Sequence, residues 1–285
     1  MAECKTHSKT YVCVGTIFRI LRGEFCRGAI RVVETLARTG GFSPKVVRRR
    51  LLETVQHTLQ VNRSLEGMQQ GGEGHVSSVR VRLLHSAVRL KILSLVDQNP
   101  DYYDVKRYGI PVNDLDSIGT INTFSGLVVF LGLPRHGIYL SEQEVEDYIA
   151  VWRLVAYYMG TPTDHFENTR KARALMESLL VTELDPSEIG KVLAQNIILG
   201  LENTPPSYAS KGFMEAMSRL LNGDRLADAL DIPPTSLYNR VLLWGYCFWV
   251  RNTAYFVPRV GFLDRAVIAV RPFLCCIFFF MRNFR

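Results

Sequence analysis

Arg82, His85 and Arg89 stand in VRVRLLHSAVRLKIL, an apolar run broken by cations. Separations of three and four residues put all three on one face of a helix. Val81, Leu84, Val88 and Ile92 share that side, which directs the imidazole inward. A neutral imidazole there can hydrogen-bond a carbonyl in the core, or give its lone pair to a metal. Two guanidinium groups beside it are costly to bury unless an anion answers them, which weakens the first reading.

A haem, with ligatable iron and two carboxylates, is one partner of that kind. Upstream, RRRLLETVQHT places Arg50 and Thr54 one turn apart, a cation and a hydroxyl that can face one cavity. The plainer readings are an exposed basic helix start and a threonine bonded to its own backbone. Earlier still, Glu34 lies in RVVETLARTGGF among Val32, Val33 and Leu36. A carboxylate among apolar residues can take a proton near neutrality, and a salt bridge to Arg31 or Arg38 is the equal alternative.

These residues carry a resemblance. ETLARTGGF, Arg50-x-x-x-Thr54 and Arg82-x-x-His85-x-x-x-Arg89, in that order, resemble the catalytic domain shared by rubber oxygenases (latex clearing proteins) and the ER-bound oxygenases of mycophenolic acid biosynthesis. GIPVNDLDSIGTINTFSGLVVFLG and SEQEVEDYIAVWRLVAYYMG are similar to the middle of that domain, and the resemblance covers residues 28–260. It implies an all-α, globin-like helical domain around a b-type haem. The implied activity is oxidative cleavage of a carbon–carbon double bond in an isoprenoid or other apolar substrate by dioxygen. Position by position, it implies His85 as iron ligand, Arg82 and Arg89 as its flanking cations, Arg50 and Thr54 as the distal pair, and Glu34 as base.

One position departs from the family. Its better-studied rubber oxygenase has a lysine before the distal threonine, where this chain has Glu53. Glutamate replaces a neutral nitrogen ligand poorly, so a five-coordinate or water-ligated iron is expected, with His57 as a second route to nitrogen ligation. The competing function is a non-catalytic helical protein that keeps the scaffold and binds haem or a lipid surface. A hydrolase or transferase has no supporting motif: no phosphate loop, nucleophile elbow or HExxH is present.

The positioning elements read as helices throughout, since apolar residues recur at helical spacing and period-two runs are scarce. Helices are expected over 10–23, 27–39, 44–62, 79–96, 118–132, 142–159, 164–182, 186–201, 210–221, 236–255 and 263–282. Ser141 with Glu144 forms a capping box, and Gly160 before Pro162 ends that helix. Glycine-rich 67–78 reads as a mobile loop ending in a serine cap, and 97–117 as a long irregular connection. His7, His75, His136 and His165 are expected at the surface, and Trp152 and Tyr157 in the core. Asp114, Asp116 and the acids at 142–147 could be taken for paired catalytic carboxylates or a metal site, but the glutamates at 142–146 occupy the first turns of a helix, where the dipole favours negative charge.

With 285 residues, 47% hydrophobic and 21% charged, the chain has the composition of one globular domain. A net charge of +7 lacks basic runs interleaved with aromatics, so nucleic acid is not an expected partner. The six cysteines form no CxxC pair, which disfavours zinc and fits reduced thiols in an intracellular protein, with endoplasmic reticulum or membrane association as the family alternative. Residues 1–27 show no secretory signal and start abruptly, as a fragment or alternative start would. In 261–285, only Pro272 to Met281 is uninterrupted, too short to span a bilayer. That tail fits either a core-docked helix or peripheral contact with a membrane interface.

Overall fold

Helix follows helix with no strand among the described residues, which in this computed structural model are 30–256 except 41–42, 44–45, 184–185 and 205–207. The elements are α1 (Ile30–Arg38), α2 (Val47–Val61), α3 (Glu73–Gln98), α4 (Val105–Tyr108), α5 (Asp114–Phe124) and α6 (Leu133–Arg135). Then come α7 (Glu142–Met159), α8 (Thr169–Thr182), α9 (Glu188–Leu201), α10 (Lys211–Asn222), α11 (Asp224–Ala229) and α12 (Leu237–Phe256). The helices expected over 10–23 and 263–282, the lipid contact expected in 261–285, and His7 lie outside the described residues.

α7 begins and ends where its sequence says it should. Ser141 accepts from the Glu144 amide while the Glu144 carboxylate accepts from the Ser141 amide at 2.8 Å, and Gly160 takes a left-handed φ of +72° at the other end. Between those caps Val145, Ile149, Trp152, Val155 and Ala156 form one buried stripe. Around it gather Ile121 and Phe124 of α5, Met217 and Leu221 of α10, and Val250 and Ala254 of α12. Trp152 stacks on Phe124 with ring centroids 5.3 Å apart. A second core forms where Val33 of α1 and Leu51 of α2 meet Leu193 and Ile197 of α9. α3 packs between α2 and α7.

Two expected loops are shorter than the sequence suggests. α3 starts at Glu73 with Gly72 as its cap, not at Ser78, which is buried inside the helix and donates to the Gly74 carbonyl at 2.8 Å. The glycines there serve close packing: a Cβ on Gly72 would come 2.4 Å from the Gly67 carbonyl oxygen, and one on Gly74 2.5 Å from Met68 Sδ. α5 starts at Asp114, because the Asn113 side chain accepts from the Asp116 amide. It stops at Ser125 and passes into a π-helical turn at Val128–Gly132.

The stretch Asp114–Arg135 is long and apolar enough to cross a bilayer by length and composition, which the sequence reading did not anticipate. Its burial against α7 and α8 accounts for its apolar character as that of a core helix. Two surface expectations and one core expectation are also corrected. His136 is buried, with Nδ1 2.8 Å from the Gly132 carbonyl, because the π turn carries it inward. His75 is half-buried, edge-on to Tyr158. Tyr157, expected in the core, faces solvent next to the buried Ala156.

Candidate functional site

α2 and α3 place two imidazoles together. His57 puts Nδ1 2.9 Å from Ser77 Oγ on α3, and Ser77, Val81 and His85 follow at four-residue steps along that helix. Burial first, and the neighbouring His85 second, lower the His57 pKa from 6.5 to about 4. Burial likewise lowers that of His85, with the Arg89 guanidinium adding to it. Both rings are therefore neutral near pH 7. Among the described residues the His85 ring has no hydrogen-bond partner, so its nitrogens are uncommitted. Around it α3 leaves Leu83, Leu84 and Leu90 exposed, although Leu84 was expected to face the core with the imidazole.

The flanking arginines find answers within the chain. Arg89 donates through Nε to the Pro111 carbonyl at 3.2 Å and through a terminal nitrogen to that of Val112. Arg82 is exposed rather than buried, and its guanidinium lies against Gly160, so close that a Cβ there would come 2.9 Å from its Cζ. Gly160 caps α7, and a cation at a helix C-terminus is favoured by the helix dipole. The cost that pointed to an external anion is thus met partly by backbone carbonyls and partly by solvent.

On α2, Arg50, Thr54 and His57 share a stripe by their four- and three-residue spacing. Arg50 is half-buried, and the Thr54 hydroxyl donates to the Arg50 carbonyl at 3.0 Å. Glu53 projects elsewhere and pairs with Arg49 at 3.0 Å.

Glu34 belongs to a separate cluster. It is buried on α1 and accepts from Arg38 Nε at 2.7 Å, while Arg31 bridges Asp116 at 3.2 Å and Glu183 at 2.6 Å. Tyr103, fully buried, faces the same carboxylates; burial raises its phenol pKa, and Asp116 and Glu34 add to the effect. Burial also raises the Asp116 pKa, against the opposing pull of Arg31. The segment 111–116 joins the two clusters, held by Arg89 at one end and Arg31 at the other. Beside α1, a cavity of about 390 Å³ opens between Leu36 and Ala37 and the α9 residues Ile189, Val192 and Leu193. It is lined by none of the six residues expected from sequence.

The structure therefore groups His85 with Arg89 and with His57 of α2, and leaves Glu34 in a separate cluster. Sequence reasoning passed over Tyr103 and set Asp116 aside as a metal ligand without its partners, which are distant in the chain. It weighed His57 only as a second ligand, although its place one turn after Thr54 was readable. Among the described residues no group of three His, Cys, Asp or Glu side chains is placed to hold a metal ion. A neutral, uncommitted imidazole beside a guanidinium and exposed leucines does fit an axial ligand to an apolar macrocycle with anionic substituents.

The chain is 22% identical over 169 residues to the rubber oxygenase of Streptomyces sp. (strain K30), an alignment spanning 59% of this chain and 40% of that protein. Its fold matches a latex clearing protein solved in the closed state, with TM-score 0.72 and 19% identity, over 94% of this chain and 72% of the other. Residues 14–252 match the model of the catalytic domain described as ER-bound oxygenase mpaB/B′ and rubber oxygenase. The chain belongs to this family of oxygenase catalytic domains.

Proposed function

We propose that this protein is a haem b-dependent oxygenase that uses dioxygen to cleave a carbon–carbon double bond in an isoprenoid or other apolar substrate. The observation that carries the reading is His85, a neutral imidazole with uncommitted nitrogens on the helix that α2 and α7 enclose. His85 would hold the iron, and Arg89 and Arg82 would offer cations to the haem carboxylates. The haem supplies dioxygen activation. From α2, the Arg50 guanidinium would orient anionic groups, and the Thr54 hydroxyl would leave its own helix carbonyl to donate a hydrogen bond. Glu34 takes up a substrate proton at its carboxylate oxygen once Arg38, half exposed, turns away. The cavity beside α1, whose walls include Leu36, Ala37, Ile189, Val192 and Leu193 but not Glu34, is apolar enough to receive a hydrocarbon.

Adding haemin to the purified chain tests this directly. A Soret band that His85→Ala abolishes is expected, and no band with the intact chain sinks the proposal. Because Glu53 is ion-paired away, the ferric spectrum should be that of an open or water-ligated iron. A low-spin bis-nitrogen spectrum lost in His57→Ala would instead assign the second ligand to His57. The hydrogen bond of Thr54 to its own backbone and the closed Glu34–Arg38 pair favour one other reading, a haem-binding scaffold without chemistry. Glu34→Gln separates the two: an oxygenase keeps its haem spectrum and loses turnover of the apolar alkene, whereas a scaffold loses nothing.

A further inference from the structure

α12 buries Leu243, Val250 and Ala254 and turns its opposite side to solvent. That side is aromatic. Trp244 is 65% exposed, Phe248 61% and Trp249 64%, with Leu237, Tyr238 and Val241 exposed beside them. At 3.6 residues per turn these side chains sweep roughly 140° of the helix surface, most of it solvent-facing. Scattered exposed apolar residues are ordinary, but a continuous aromatic strip marks an interaction surface. Tyr139, also exposed, extends it, since its amide donates to the Tyr255 hydroxyl at 2.9 Å near the C-terminal end of α12.

Charge indicates what the strip meets. Arg240 and Arg251 border one edge of it, and α12 contains no acidic residue. The Arg251 guanidinium carbon lies 5.8 Å from the Phe248 ring centroid, which keeps cation and aromatic side by side. In the sequence from residue 237 to 285 there are seven arginines and one acidic residue, Asp264. Six of the chain's seven net positive charges are therefore concentrated in this segment. A second copy docking on this face would bring like charges together, whereas an anionic lipid surface complements them. Tryptophan and phenylalanine with flanking arginine are the side chains that settle at a headgroup boundary.

We propose that this face of α12 docks on bilayers containing anionic lipid, with Trp244, Phe248 and Trp249 entering the headgroup boundary and Arg240 and Arg251 meeting lipid phosphates. The proposal stands independently of the oxygenase reading and concerns residues outside the haem and Glu34 clusters. α12 lies along the surface in it; its inner face remains packed on α10.

The test uses the full chain, without haemin, and vesicles of phosphatidylcholine alone or with about 30% phosphatidylserine. Binding is expected only to the anionic vesicles, weakening as salt rises from about 0.1 M to about 0.5 M. Brominated acyl chains should quench Trp244 and Trp249, while Trp152, 1% exposed, supplies an unquenched reference within the same chain. Trp244→Ser, Phe248→Ser and Trp249→Ser together should weaken partition about tenfold or more with helix content by circular dichroism unchanged. Arg240→Gln with Arg251→Gln should remove most of the preference for anionic vesicles. Undiminished binding by the triple variant assigns membrane contact to another segment and overturns the proposal. So does equal binding to both vesicle types, or no binding to either. Lipid-free dimerisation abolished by the same three substitutions would make the face a protein interface instead.

Discussion

The Nδ1 of His57 lies 2.9 Å from the Oγ of Ser77, so the imidazole that faces His85 is tied to the very helix that carries His85. The bond fixes the ring where burial and a second imidazole both oppose its protonation. α2 and α3 are thereby joined through a neutral histidine, and that neutrality has a measurable consequence.

In the unfolded chain His57 takes up a proton near pH 6.5, whereas in the folded protein it does so only near pH 4. Between these values the unfolded state binds the extra proton, so stability falls as pH drops through the window, by at most about 1.4 kcal/mol per pH unit. Urea unfolding of the haem-free chain at a series of pH values should show this slope. His57→Gln, which keeps a polar partner for Ser77, should flatten it. Parallel curves for the two proteins would mean that the native imidazole is protonated as readily as the unfolded one.

The glycines before α3 offer a second test. A Cβ at Gly72 meets backbone at 2.4 Å, which cannot yield without moving the 66–72 turn. Gly72→Ala should cost about 2 kcal/mol or more. At Gly74 the nearest atom is the flexible Met68 sulfur, but the Gln60 carbonyl at 3.0 Å also resists, so Gly74→Ala should cost less while still outweighing its helix-propensity gain of about 1 kcal/mol. Gly119, in α5 with nothing within 4 Å of a built Cβ, should stabilise by about 0.5–1 kcal/mol as alanine. Thermal melts of the three variants would refute this packing account if Gly72→Ala proved neutral.

These glycines also show what a sequence conceals. The capping box at Ser141 and the left-handed Gly160 are local devices, and α7 was legible to the residue. Gly72 and Gly74 announce only conformational freedom in sequence; that the freedom serves contact with Gly67 and Met68 is a property of the folded turn. His136 looks like a loop residue until the π turn carries it inward. Around the candidate site, the four-residue step from Arg50 to Thr54 and the Arg82–His85–Arg89 face were readable from helical spacing. The exposure of Arg82 was not, because it depends on α7 ending at Gly160, and neither was the Tyr103–Asp116 cluster around Glu34, whose members come from α1, α5 and the 103 turn.

The Glu34–Arg38 pair is asymmetric: the carboxylate is 5% exposed and the guanidinium 41%. Removing the arginine strands a buried charge, whereas neutralising the glutamate releases an arginine already half in water. Arg38→Ala should therefore cost about 1–2 kcal/mol in the haem-free chain, and Glu34→Gln well under 1 kcal/mol. Denaturation midpoints measured side by side check the order. Equal losses would mean that the pair is solvated as a whole and that Glu34 is not held in a dry site.

Arg89 connects the two clusters, and its role can be separated from any cofactor. Its guanidinium satisfies the carbonyls of Pro111 and Val112 ahead of Asp116, and Val112 sits at a φ of +54°, a left-handed conformation that a β-branched residue enters only under constraint. Without the arginine those carbonyls lose their donors and the turn is free to relax. Arg89→Ala should thus lower stability by about 1–3 kcal/mol even in the absence of haemin, and open the 109–113 turn to proteolysis. Arg82→Ala, whose guanidinium is exposed, should cost less than 1 kcal/mol in the same assay. If both arginines instead leave the haem-free chain unchanged and weaken only haemin binding, their work is electrostatic toward the cofactor alone. A loss confined to Arg89→Ala in the haem-free protein shows that this residue also holds the segment running from the His85 helix to the Asp116–Arg31 bridge beside Glu34.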